Sequence, residues 1–184
     1  MELLGFLRTQ ARANRLANRR LHAAMAGLSR EEFHATRVGF FPSLAATLNH
    51  ILAIDLYYLA ALYGEADMVE QHRRFVPKET LQALAEAQAA ADQRFIALME
   101  ALSAEQLDDV IDLVRSSHVQ RERRGHVVAH LLNHQVHHRG QAHAMLAGTA
   151  VHPPQLDEFL MPSEAHLRVG DMVATGWTEA DLFG

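Results

Sequence analysis

The chain has 184 residues, a length at which a domain buries about 70% of the surface its unfolded form exposes, so one sizeable core is within reach. Hydrophobic residues make up 49% and charged residues 21%, which excludes a disordered or collagen-like chain, and the formal net charge of -5 argues against binding a nucleic-acid backbone. Cysteine is absent, so disulfides, thiolate zinc sites and a cysteine nucleophile are excluded, and any metal would have to be held by His, Asp or Glu.

The opening MELLGFLRTQ lacks a basic segment followed by a long apolar run and reads as mature protein. No uninterrupted apolar stretch approaches the ~20 residues of a membrane span, the longest being broken by Asn49, His50 and Asp55. A soluble, cytoplasmic protein with neither membrane nor nucleic-acid partner is expected.

From Leu3 to about Leu28, Leu7, Ala11, Asn14, Leu21 and Met25 recur at helical spacing and predict a first helix. Ser29 to Gly39 holds an S-x-x-E pattern at Ser29 and Glu32, either a capping box for a short helical turn or plain loop, and reads as a connection. Pro42 and Ser43 open a second helix that Gly64 closes, spanning roughly Pro42 to Tyr63. Pro77 opens an alanine-rich third helix with Leu81, Leu84, Ala91, Phe95, Leu98 and Leu102 as its apolar stripe and an acidic, exposed opposite face. Between Asp108 and Val119 the pattern shifts to strands, with a turn at Ser116 and Ser117, and predicts a small hairpin.

After Gly125 a fourth long helix, HVVAHLLNHQVHHRGQAHAMLAG, runs to Gly148. Pro153 and Pro154 stop it, PPQLDEFL suggests one further short helix, and Trp177 is the expected anchor of the tail. The expectation is an all-α four-helix bundle with a small hairpin or irregular crossover before the last long helix. It is read as one domain over residues 1–184, with an extension from about residue 163 whose fold the pattern leaves open.

Histidine is the unusual component: there are thirteen, five of them between His126 and His138. On a wheel of ~100° per residue centred on Val127, His134 and His138 fall about 20° to either side of the apolar direction. Four residues apart, they project from one face one turn apart, the spacing by which paired imidazoles reach one ion. A hydrogen-bonded core pair is the alternative, and a shared cation would give each buried ring a polar partner. His130 is also four residues from His134 but lies about 60° off the stripe, and His130 and His138 are ~12 Å apart along the axis, too far for one ion. His137, His126 and His143 point elsewhere.

The second helix carries His50 in LNHILAIDLYYL, sharing a face with Ala46, Ala53, Ile54, Tyr57 and Ala61. A lone histidine in such a setting is either a hydrogen-bonded core residue or a third ligand. Leu48, Leu52, Leu59 and Leu62 make a second stripe opposite, which suggests a partner surface and a homodimer. Asn14 and Asn18, one turn apart, read as pocket lining or packed polar residues, and Arg121, Arg123 and Arg124 as a solvated loop.

Along most of its length the chain resembles the DinB-like family of damage-inducible, YfiT-type metalloenzymes. The matching stretches are ANRLANRRL, FFPSLAATLNHILAIDLYYL and HLLNHQVHHRGQ, with PPQLDEFL a weaker fourth. The resemblance implies an up-down-down-up bundle and a metal held by His50, His134 and His138, His137 falling on a variable position. Tyr58 stands where many relatives have tryptophan, and the tail after about Leu167 has no counterpart.

Three neutral imidazoles leave a tetrahedral ion one open position, the arrangement of catalytic sites. One divalent transition-metal ion, zinc or nickel, is expected, with affinity falling below pH ~6 as the imidazoles protonate. The family's thiol-dependent transferases and isomerases imply activation of a low-molecular-weight thiol toward a small-molecule substrate. Metal-dependent hydrolysis and non-catalytic, stress-related metal or small-ligand binding are the alternatives. No general base is legible, since Asp55 lies about 140° round the helix from His50.

Overall fold

The computed structural model describes residues 2–115, 117–157 and 160–183. Helix α1 (Leu3–Met25) buries Leu4, Leu7, Ala11, Leu21 and Met25 along one face. Ser29 and Glu32 do form a capping box, Ser29 Oγ accepting from the Glu32 N–H and Glu32 from the Ser29 N–H, and start the short helix α2 (Arg30–His34). The stretch read as a connection is therefore partly helical, since both cap bonds satisfy amides that a loop would leave to water.

Helix α3 (Leu44–Tyr63) begins after Pro42, because the Ser43 hydroxyl accepts from the Ala46 N–H at 3.1 Å and acts as its N-cap. It ends at Gly64, whose φ of 72° is the left-handed conformation that glycine takes without strain. Both of its apolar stripes are buried: Leu48, Leu52, Leu59 and Leu62 on one side, Ala53, Tyr57 and Ala61 on the other. The surface from which a homodimer is expected lies inside this chain.

A short helix, α4 (Met68–Arg73), was not legible, because six mostly polar residues carry no measurable period. Helix α5 (Leu81–Ala101) starts four residues later than Pro77 would suggest, since Thr80 Oγ1 accepts from the Ala83 N–H at 3.2 Å and sets the first turn. Its apolar stripe is as expected, but the face taken as acidic and exposed is not uniformly so: Asp92 and Gln88 are buried.

The hairpin consists of β1 (Val110–Val114) and β2 (Val119–Arg123), antiparallel, in a register from Val110 opposite Arg123 to Val114 opposite Val119. Ile111 and Leu113 face the core. The supposed basic loop is thus strand β2 in part, its arginines pairing with acids across the hairpin, as Arg121 does with Asp112 at 3.3 Å. Ser116, half of the predicted turn, lies outside the described residues. Tyr57 Oη donates to the Val114 carbonyl at 2.8 Å and ties the hairpin to α3.

Helix α6 (Arg124–Leu146) follows directly. No helix forms over residues 153–157, where two prolines lack amide donors, and Glu158 and Phe159 of the predicted PPQLDEFL helix lie outside the described residues. The tail forms a 3-10 turn (Pro162–Leu167), α7 (Val169–Thr175) and α8 (Glu179–Phe183). It docks on α1: Asp171 accepts from Arg19 at 2.6 Å and Arg20 at 2.7 Å, Leu182 packs with Leu16 and Ala17, and Trp177 is half-buried against them.

The chain is mostly helical with one two-stranded sheet. Each of α1 and α3 packs against both α5 and α6. Among the described residues one helix, α3, is long and apolar enough to cross a membrane, and 72% of that window is buried inside the protein.

Where these four helices meet, a polar layer crosses the core. Arg139 Nη1 donates to Asn14 Oδ1 at 2.6 Å and Asn18 Oδ1 at 3.0 Å, and Asn18 Nδ2 in turn donates to Asp92 at 3.0 Å. Gln88 Nε2 bridges Asp55 at 2.7 Å and Asp92 at 3.1 Å, and Gln135 Nε2 donates to Asp55. Asn14 and Asn18 are thus packed polar residues that also line cavities along α1, and neither faces bulk solvent. This layer fixes the rotation of α6. Its most buried direction passes through Val128, Leu131, Gln135, Ala142 and Leu146, so His134 and His138 border the core and do not occupy its centre. Val127, on which the wheel was centred, is buried too but lies to one side of that direction, on the side of the two histidines.

Candidate metal centre

The packing of α3 on α6 brings His50 beside His134 and His138. His50 Nε2 lies 3.0 Å from His134 Nε2, and the ring centroids are 5.0 Å apart for that pair, 4.6 Å for His50 and His138, and 4.4 Å for His134 and His138. One nitrogen from each ring lies within 4.8 Å of the others. Nitrogens at about 2.0–2.1 Å from a tetrahedral ion are about 3.4 Å apart, so the three rings fit a common ion with adjustments of about an ångström. Among the described residues this is the only group of three His, Asp or Glu side chains that could hold a metal ion.

The electrostatics favour the ligating form. Burial, followed by the neighbouring imidazoles, lowers His50 to about 4 and His134 to about 3, and burial also lowers His138. All three rings are neutral at physiological pH, and His50 and His134 stay so at mildly acidic pH. Gln141 Oε1, one turn along α6, accepts from His138 Nδ1–H at 2.8 Å, which leaves the His138 Nε2 lone pair free for an ion. His134 Nδ1 is buried and makes no hydrogen bond.

The Phe41 ring covers the group, 4.4 Å from His50 and 5.5 Å from His138, while the exposed Phe40 stands 6.4 Å from His138. On the other side of His50 a cleft of about 450 Å³ opens, lined by Ala46, Ala53, Phe75 and Lys78 among others. Asn49 holds its wall: Oδ1 accepts from the Lys78 N–H at 2.6 Å and Nδ2 donates to the Lys78 carbonyl at 3.0 Å. Two larger cavities, of about 600 and 580 Å³, lie along α1, away from the three histidines.

The remaining histidines stay outside the group. His130 is exposed, 6.4 Å from His134, and sits edge-on to Tyr58 at 5.1 Å; His137 contacts Gln141; His143 bonds the Pro154 carbonyl. Asp55 points into the polar layer, away from the histidines, so it offers no base there. Gln141 was within reach of the sequence, three residues after His138 and hence on the same face. Phe41 and Asn49 were not, because stacking on a ring and clamping a loop leave no periodic trace.

A mostly helical protein with three neutral imidazoles gathered where two long helices pack is the class these features define. The DinB family profile matches residues 5–169, and the chain belongs to the DinB family. Protein DinB of Bacillus subtilis (strain 168) is 24% identical over 152 residues, which cover 78% of this chain and 87% of that protein. A DinB-like protein of Bacillus subtilis has a similar structure, with a TM-score of 0.60 at 16% identity over 82% of this chain and 97% of that one. A DinB-like protein of Bacillus cereus ATCC 10987 gives 0.58 at 15% identity over 76% and 89%. At such identities the likeness is one of fold.

If Gln141 positions His138, Gln141→Leu is expected to weaken metal binding by about tenfold while leaving the melting temperature of the metal-free protein nearly unchanged. A competition titration against a chromogenic chelator measures this.

Proposed function

We propose that this protein is a metal-dependent enzyme that activates a small thiol for attack on an electrophilic small molecule. The proposed frame is a single domain in which α1, α3, α5 and α6 form an up-down-down-up bundle, with one zinc or nickel ion held by His50, His134 and His138. The observation that carries the reading is the convergence of three neutral imidazoles with no carboxylate among them. Such a set leaves a bound tetrahedral ion one position for a reactant, whose pKa it lowers.

The chain's own groups have separate tasks. Gln141 orients His138, Phe41 shields the group from water on one side, and the cleft beside His50 offers room for a reactant of small-molecule size. The test uses protein purified without a polyhistidine tag and loaded with zinc or nickel. It is expected to consume glutathione in the presence of 1-chloro-2,4-dinitrobenzene faster than the uncatalysed rate, and His138→Ala is expected to reduce that excess to background. Equal excess rates in wild type and His138→Ala would contradict the proposal.

A further inference from the structure

We propose that Arg115 anchors a carboxylate of the substrate, at the end remote from the three histidines. This rests on the reading of the three-histidine group as a site that processes a small molecule. Arg115 follows β1, and its backbone N–H donates to the His118 carbonyl at 2.8 Å, closing the hairpin turn. Its guanidinium carbon lies 5.2 Å from the ring centre of Tyr57 and 5.7 Å from that of Tyr58, and Nη2 donates to Tyr58 Oη at 3.2 Å. Nε and Nη2 also reach Gln120 Oε1, at 3.4 Å each.

Every one of these partners is neutral. The chain carries 22 acidic against 17 basic residues, yet no carboxylate among the described residues pairs with Arg115. The two acids of its own hairpin are engaged elsewhere, Asp112 with Arg121 and Glu122 with Gln120 Nε2 at 2.8 Å, and just before it Asp109 pairs with Arg124 and Asp108 with Arg123. A guanidinium laid on two aromatic rings is oriented without being neutralised, and its planar fork matches a carboxylate. A lone guanidinium suits a monoanion better than a phosphate dianion.

The position relates Arg115 to the histidines. Tyr57 is seven residues after His50 on α3, about 10 Å along the axis, and its side chain tilts back toward the N-terminus and so toward His50. Tyr58 meets His130 at 5.1 Å, and His130 stands 6.4 Å from His134; on the other flank Tyr57 meets His72 at 5.4 Å. An aromatic wall therefore runs from the guanidinium to the candidate centre. A molecule lying along it has its anionic end at Arg115 and its reacting end at the histidines.

Two arms test this. In metal-free protein, octanoate is expected to shift one arginine Nε–Hε NMR resonance saturably, the one that Arg115→Met removes, whereas octanol leaves it in place and inorganic phosphate acts only at concentrations about tenfold higher. In cobalt-loaded protein, followed by visible absorption, 8-mercaptooctanoate is expected to bind about tenfold more tightly than 8-mercaptooctanol. Arg115→Met, shown by circular dichroism to be folded, should erase that preference without weakening the alcohol, and Tyr58→Phe should reduce it. An octanoate response that is missing, or that survives in Arg115→Met, overturns the anchor whether or not cobalt binds. Absence of cobalt binding with the octanoate response intact overturns the metal reading and leaves the anchor standing.

Discussion

Replacing His134 by alanine is expected to weaken metal binding by more than about a hundredfold, beyond the 10–100-fold that loss of a supporting hydrogen bond produces. His134 lies 3.0 Å from His50 by its Nε2 and 4.4 Å from His138 by ring centroid, and its removal leaves two nitrogens on an ion that prefers four ligands. His126→Ala, which alters an exposed ring outside the group, should bind metal as wild type does. The pH profile is a second signature. Ordinary imidazoles would lose an ion below pH ~6, but burial holds His50 and His134 neutral down to about 4 and 3. With His138 also lowered by burial, affinity is thus expected to begin falling at a lower pH than ordinary imidazoles would set. A metal titration at several pH values measures it, and a fall centred at pH 6.5 would show that the rings are solvated.

The second large effect concerns the polar layer. Asp55, Asp92 and Arg139 are all buried, two carboxyls and one guanidinium joined through Asn18, Gln88 and Gln135 in one layer. Burial raises Asp92 to about 6 and, with Asp92 as the next cause, raises Asp55 well above the usual carboxyl range. Two buried acceptors, Asp55 Oδ1 and Gln135 Oε1, make no hydrogen bond, while Gln135 Nε2 already donates to the other oxygen of Asp55. A proton on Asp55 Oδ1 is the simplest way to balance the charge.

Arg139→Met is accordingly expected to cost about 3–5 kcal/mol at pH 8, since it removes the cation that offsets buried, ionised Asp92 and leaves Asn14 Oδ1 and Asn18 Oδ1 without their donor, and less at pH 5, where Asp92 takes up a proton. Asp55→Asn, which keeps the shape and supplies a donor, should cost under about 1 kcal/mol at pH 8. The sign follows from linkage. A carboxyl whose folded pKa is raised contributes stability that is complete below its unfolded value near 3.9 and is lost as pH rises through the folded value. Asp55→Asn should therefore gain on wild type as pH rises from about 4. Urea denaturation at pH 5 and 8 checks both variants, and a loss of several kcal/mol for Asp55→Asn at pH 8 would mean that Asp55 is ionised.

The same residues show where the sequence stops being legible. Four long helices follow from spacing, and α3 from Ser43 and Gly64, because caps and period are local. The hairpin was legible from Ile111 and Leu113, but β2 runs on through its arginines because side chains on its open face need not be apolar. Asp55, Asp92 and Arg139 resisted because their type predicts exposure, and they are buried only where partners from four helices meet. In the site, an i,i+4 pair at His134 and His138 could be read from α6 alone. Adding His50 required a resemblance, since nothing in a helix records which residue of another helix it will face. Arg115 was invisible for the same reason: its setting depends on a strand end meeting Tyr57 and Tyr58.

The most direct test is X-ray absorption at the metal edge on tag-free protein loaded with one equivalent of zinc. Three imidazole nitrogens at about 2.0–2.1 Å and one further light atom are expected, with the imidazole count falling to two in His134→Ala. A spectrum of hydrated zinc, or an imidazole count unchanged in His134→Ala, would contradict the three-histidine centre.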